Sequence, residues 1–141
     1  MRKAKRILVG LKTLDRAAEL TNLACCVGSR GATLMLAHVI ELPDATPLDA
    51  DIPELEANAQ KILRTGERVA KRNNMKVRKQ IFRARNAAEA LLEEMKQKKI
   101  ELAVLGYHHR RTLGEIFLGT TAQHISRLAP CNLLLSIPRR E

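Results

Sequence analysis

Apolar residues along this chain come in two arrangements that take turns. Residues 6–11, 33–40, 100–106 and 132–137 are short runs, apolar at nearly every position, the pattern of strands buried on both faces. Between them the apolar residues recur every three or four positions. Ala17, Leu20, Ala24 and Val27 form one such stripe, widened by Ala18, Thr21 and Cys25. Leu55, Ala59, Ile62, Gly66 and Val69 form a second, Ala88, Leu91, Leu92 and Met95 a third, and Ala122, Ile125 and Ala129 a fourth. This spacing predicts four helices, each with one inward face. Residues 76–82, KVRKQIF, mix charges with Val77 and Ile81 less regularly, which predicts a strand at a sheet edge, where lysines discourage pairing with other chains.

The boundaries between these segments carry stop and start signals. Thr13 is placed to cap the first helix, which begins near Leu14 and is closed by Gly28 and Gly31. Asn73-Asn74 suits a left-handed helix end, Asn86-Ala87-Ala88-Glu89 matches a capping box, and Lys96 to Lys99 complement the dipole at the end of the third helix. Residues 41–53, ELPDATPLDADIP, form a loop rich in proline and aspartate. His38, inside the second strand, reads as a buried, hydrogen-bonded structural residue. The order is strand, helix, strand throughout, closing on a fifth strand. It forces parallel pairing through right-handed crossovers, and the fold class is α/β: one open five-stranded parallel sheet with helices on both faces.

Composition narrows this picture. The 141 residues form one domain, 1–141, large enough for a core without disulfide or metal. Three cysteines, two of them adjacent inside a helical pattern, argue against a disulfide framework and for small buried apolar residues in a reducing compartment. Nothing approaches the roughly 20 apolar residues of a membrane span, and MRKAKRILVG enters a strand without a signal-peptide core, so a cytoplasmic protein is expected. A net charge of +10 makes acidic partners worth weighing. Two Phe, one Tyr and no Trp leave little for base stacking, and no zinc-finger, RNA-recognition or helix-turn-helix spacing occurs, so a nucleic-acid role is the weaker alternative. The basic runs at 68–72 and 76–85 are read as solvated faces.

Candidate chemistry concentrates in LAVLGYHHRRTLGEIFLGTTAQHISRLAP, residues 102–130, where a strand ending at Gly106 leads through a basic loop to Gly119-Thr120-Thr121 at a helix start. Unpaired N–H groups and the dipole make such a junction able to hold an anion. Thr120-Thr121-Ala122-Gln123 equally fits a T-x-x-Q capping box that satisfies those groups internally. There is no Walker A sequence, no H-E-x-x-H and no Cys-x-x-Cys, and no catalytic set can be assembled, so enzymatic activity is not expected.

Gly106, Gly119-Thr120 and the tail Leu128-Ala129-Pro130-Cys131-Asn132-Leu133-Leu134-Leu135 resemble the C-terminal half of the universal stress protein family, and the likeness runs from Ile7 to Ile137. It implies an adenine-nucleotide α-hydrolase-like sheet of strand order 3-2-1-4-5, with a ligand crevice between strands 1 and 4. ATP-binding members carry Gly, two residues, Gly, nine residues, Gly, then Ser or Thr; Gly106 and Gly119-Thr120 match, and His109 stands at the middle glycine. Lys12 stands where such members have an aspartate facing the ribose, which removes an acceptor and adds a cation. The resemblance therefore implies a degenerate nucleotide site made of Lys12, Gly106, His109, Gly119, Thr120 and Thr121, for ATP, AMP or another adenine nucleotide, with Lys12 suited to meeting a phosphate. No metal is implied beyond a magnesium ion accompanying the nucleotide. Relatives pair across a homodimer through the last strand, here Leu133 to Ile137, and act in stress response through protein partners. The turn Lys12-Thr13-Leu14-Asp15 resembles regulatory domains of cation or amino-acid transporters about as well, which is the main alternative.

Overall fold

The computed structural model describes residues 3–106 and 120–138. The elements alternate as expected: β1 Ala4–Gly10, α1 Leu14–Val27, β2 Gly28–Glu41, α2 Pro53–Arg72, β3 Lys76–Ala84, α3 Ala87–Gln97, β4 Leu102–Gly106, α4 Thr120–Leu128 and β5 Asn132–Ser136. The five strands form one parallel sheet in the order β3-β2-β1-β4-β5. β1 is central, with Ile7 opposite Leu34 on one side and Leu102 on the other.

Because successive strand residues point to opposite faces, the apolar runs feed two cores. Ile7, Val9, Leu34, Leu36 and Val104 pack with Leu20 of α1 and Ile62 of α2. Leu8, Met35, Ala103 and Leu105 pack on the other face with Leu91, Leu92 and Met95 of α3 and Ile125 of α4. Close approach of α1, α2 and the sheet depends on Gly66: a Cβ there would lie 2.9 Å from Thr21 Oγ1, 3.0 Å from Leu11 Cδ1 and 3.1 Å from Leu36 Cδ1.

Helix ends follow the sequence in two places and depart from it in another. Asn86 Oδ1 accepts from the Glu89 N–H at 3.1 Å, and Asn74 takes φ 58° after α2 while the Met75 N–H donates to Ala70 O. Thr13 does occupy the N-cap position of α1, but its side chain makes no capping bond. Gly28 ends α1 by entering an extended conformation and pairing with Ala4, so β2 starts five residues earlier than its apolar run. The extra residues are absorbed in a register shift between Ala4 and Arg6, where Gly31 has φ +71°.

Three side-chain expectations are corrected. On α1, Ala18 is exposed and Arg16 is buried instead, because Arg16 finds polar partners across the sheet end. Cys25 is buried as expected, whereas Cys26, one position further round the helix, is exposed. The basic run at the end of β3 is not simply solvated. Arg83 donates to Leu48 O, Ala50 O and the Glu56 carboxylate, and Arg85 donates to Leu42 O, Pro43 O and Thr46 O. These two arginines fasten the proline-rich loop 42–52 to the edge of the sheet.

Candidate functional site

The sheet changes direction between β1 and β4. From β1 the chain crosses through α1 toward β2, and from β4 it leads toward β5 on the other side, so the carboxyl ends of these neighbours flank a crevice where open parallel sheets hold ligands. Gly10 pairs with Leu105, which brings Lys12 and Gly106 to this one edge.

The exit of β1 is fixed by β2. The Leu11 N–H donates to Ala37 O at 2.8 Å, and His38 Nδ1 lies 2.7 Å from Leu11 O, so this nitrogen carries the proton and donates it. Both backbone groups of Leu11 are thereby clamped, and the next residue, Lys12, is presented exposed at the crevice. His38 is 7% exposed and performs the structural role expected of it.

Gly106 closes β4 against α1. A Cβ there would stand 3.1 Å from Leu20 Cδ1 and 3.9 Å from Arg16 Nη1, so the glycine lets α1 approach the strand end. Thr120 and Thr121 begin α4, with Ala122 and Ile125 buried on its inner face. The helix starts at Thr120 itself rather than after it. His109 and Gly119 lie outside the described residues.

Arg16 was not singled out by sequence reasoning. It is 8% exposed, its Nε donates to Glu19 Oε2 at 3.0 Å, and its Nη2 donates to Ser136 Oγ at 2.7 Å, tying the first turn of α1 to the end of β5. Among the described residues, Nη1 is buried with no hydrogen-bond partner, and the same is true of Thr13 Oγ1. A signal was present: Arg16 stands four residues before Leu20 on the inward stripe, where an arginine needs a polar reason to be.

Charge elsewhere serves the scaffold. The backbone N–H groups of Lys5 and Arg6 donate to Glu101 and, with the two cationic side chains, hold its carboxyl below the usual range despite some desolvation. Lys79 does the same for Glu67, chiefly by hydrogen bonding, with Lys71 assisting. Burial pushes the Cys25 thiol up, and Cys131 also. At the amino end of the sheet, opposite the crevice, Lys5, Arg6, Arg30 and Lys76 surround an open cleft of about 340 Å³. Among the described residues no three or more His, Cys, Asp or Glu side chains gather to hold a metal ion, and no helix is long and apolar enough to cross a membrane.

A model of the universal stress protein family matches residues 3–136. No curated protein matches the chain. Among solved structures, hypothetical protein MJ0577 superposes with a TM-score of 0.82 at 15% identity, covering 99% of this chain and 100% of that one. A universal stress protein solved in complex with cAMP superposes at 0.74 with 18% identity, covering 98% and 100%. A universal stress protein family protein from Arabidopsis thaliana with AMP bound superposes at 0.66 with 15% identity, covering 96% and 92%.

Proposed function

Since the chain belongs to the universal stress protein family, we propose that it is a cytoplasmic, nucleotide-sensing dimer of the stress response that holds an adenine nucleotide in the crevice between β1 and β4. It acts by binding, through protein partners, rather than by turnover. The observation that carries this reading is the family match over residues 3–136, joined to a crevice of the type in which such sheets take ligands. Two proteins of the same fold, solved with cAMP and with AMP, support the ligand class.

Lys12 selects within that class. An exposed ammonium at the end of β1 attracts phosphate and offers no acceptor to a ribose hydroxyl. AMP or a cyclic dinucleotide therefore suits the crevice better than ATP, whose ordinary recognition uses the missing acceptor. A magnesium ion, where one enters, accompanies the nucleotide.

Thermal unfolding against ATP, ADP, AMP, cyclic dinucleotides and inorganic phosphate tests the proposal. A ligand at about 100 times its Kd stabilises the native state by about 2.7 kcal/mol, readily visible in Tm. Lys12→Asp should weaken AMP binding by roughly tenfold, the loss of one charge-assisted contact. Tighter binding in Lys12→Asp would mean that residue 12 faces the ribose after all. No Tm shift with any nucleotide would remove the nucleotide from this reading.

A further inference from the structure

The parallel order sets the starts of β1, β2 and β3 side by side at the amino end of the sheet, with Arg6 opposite Thr33 and Thr33 opposite Lys76. Residues paired in this way share one face of the sheet, and the outer two backbones stand roughly 10 Å apart. Just before this row the ladder breaks. Gly28 pairs with Ala4 and Thr33 with Arg6, so Ser29 to Ala32 stand opposite Lys5 alone and must leave the line of the strand. Gly31 turns them with φ +71°, and nothing lies within 4 Å of where its Cβ would be. Beside this excursion opens the cleft of about 340 Å³, lined by Lys5, Arg6, Arg30 and Lys76 with the hydroxyls of Ser29 and Thr33 among them.

The ordinary uses of surface cations do not absorb this set. Lys71, Arg72 and Lys96 lie in the last turns of α2 and α3, where they meet negative helix ends, whereas none of the four cleft cations lies in a helix. Glu101 accepts the N–H groups of Lys5 and Arg6 and feels the charge of both, but among the described residues Arg30 and Lys76 form no ion pair. Arg6 is oriented by a 2.9 Å bond from its Nε to Lys99 O, and among the described residues nothing accepts from its two terminal nitrogens. The described lining holds no carboxylate, no aromatic ring and no apolar side chain larger than that of Ala32. A base therefore has no surface on which to stack, while an anion meets only donors and positive charge.

We propose that this cleft binds a phosphate chain, an inorganic oligophosphate of two or more phosphates, with Arg6, Arg30 and Lys76 meeting its charges and Ser29 and Thr33 donating from their hydroxyls. A chain engages more of the row from Arg6 across Thr33 to Lys76 than a single phosphate does. The cleft lies at the opposite end of β1 from Lys12 and does not rest on the nucleotide reading.

Inorganic tripolyphosphate is the probe, titrated calorimetrically in magnesium-free chloride buffer. Affinity should rise from phosphate through pyrophosphate to tripolyphosphate and fall as chloride is raised. Arg30→Gln and Lys76→Gln, at exposed positions, should leave the ligand-free Tm nearly unchanged while each weakens tripolyphosphate about threefold to fivefold, and about tenfold together. Arg64→Gln, which removes an exposed charge from α2, and Lys12→Gln at the crevice should change it by less than about twofold.

No binding of tripolyphosphate at low salt would overturn the proposal. So would equal losses in Arg64→Gln and the cleft variants, since net charge alone would then account for the attraction, or a loss confined to Lys12→Gln, which would put the chain at the crevice. An oligothymidylate held more tightly than tripolyphosphate, and weakened by the cleft variants, would overturn the ligand in favour of single-stranded nucleic acid. ATP separates the two sources of a phosphate chain. It should bind the cleft more weakly than tripolyphosphate, because its nucleoside occupies one end and finds no partner; equal affinity with the same losses in Arg30→Gln and Lys76→Gln would uphold the cleft and make a nucleoside triphosphate the source.

Discussion

Single residues at this molecule's close contacts have consequences out of proportion to their size. Gly66 is the clearest case, because three atoms from α1, β2 and the end of β1 converge where its Cβ would be, and Thr21 Oγ1 among them is held by a 2.8 Å bond to Ala17 O. Gly66→Val should destabilise by about 2 kcal/mol or more, the cost of overpacking a core that cannot retreat, measured by urea unfolding. The helical stripe placed Gly66 on the inward face without difficulty, but not the closeness of the approach, which depends on neighbours far away in sequence. Arg16 was illegible for a related reason. Its place on the inward stripe hints at burial, but its acceptor Ser136 is 120 residues distant, so the partner that decides its role lies beyond any local pattern. Lys12 and Gly106 could be placed because strand ends are read from where apolar runs stop. His109 and Gly119 rest on the motif alone.

Elements were legible wherever their pattern was local, and less so where pairing decided their length. The four helices and five strands all stand where periodicity put them, yet β2 gains residues at its start because Gly28 meets Ala4. The loop 42–52 is held by Arg83 and Arg85, which a reading of charge runs alone took for solvent-facing. A comparable junction joins β1 to the turn before β4, where Glu101 accepts from the Lys5 and Arg6 N–H groups at 3.0 and 3.1 Å. These bonds lower the folded-state pKa of Glu101, so its contribution is complete above the unfolded carboxylate value of about 4.3 and is lost as pH falls through the lower, folded value. Glu101→Gln should therefore make stability less steeply dependent on pH in the acid range below about 4.3, with the difference from wild type shrinking at the lowest pH. Melting temperatures between about pH 2 and 6 measure it; parallel profiles in the two proteins would show that the carboxylate is not the latch.

At the scale of the whole molecule, the sheet has two unlike edges. β3 carries Lys76, Arg78 and Lys79 and is guarded by charge, whereas β5 presents half-buried Leu133, Leu134 and Leu135 and is followed by Ile137, 60% exposed. The proposed dimer covers that second edge. Leu135→Lys should then shift the sedimenting species from dimer toward monomer, and Ile137→Lys, at a position already exposed in the single chain, should do so without disturbing the fold. An unchanged sedimentation coefficient in both would exclude the last strand as the interface. The strand order itself could not be read from periodicity, which dictates alternation and parallel pairing but leaves neighbours open; it came from the resemblance, and the sheet agrees. That order has a consequence for how the protein is made. A ribosome delivers the N-terminus first, and β1 finds β2 early, but its other edge stays open until Leu102–Gly106 has emerged, and Arg16 waits longer still for Ser136. Through most of its synthesis the nascent chain thus offers a bare apolar strand, the kind of surface that holding chaperones bind.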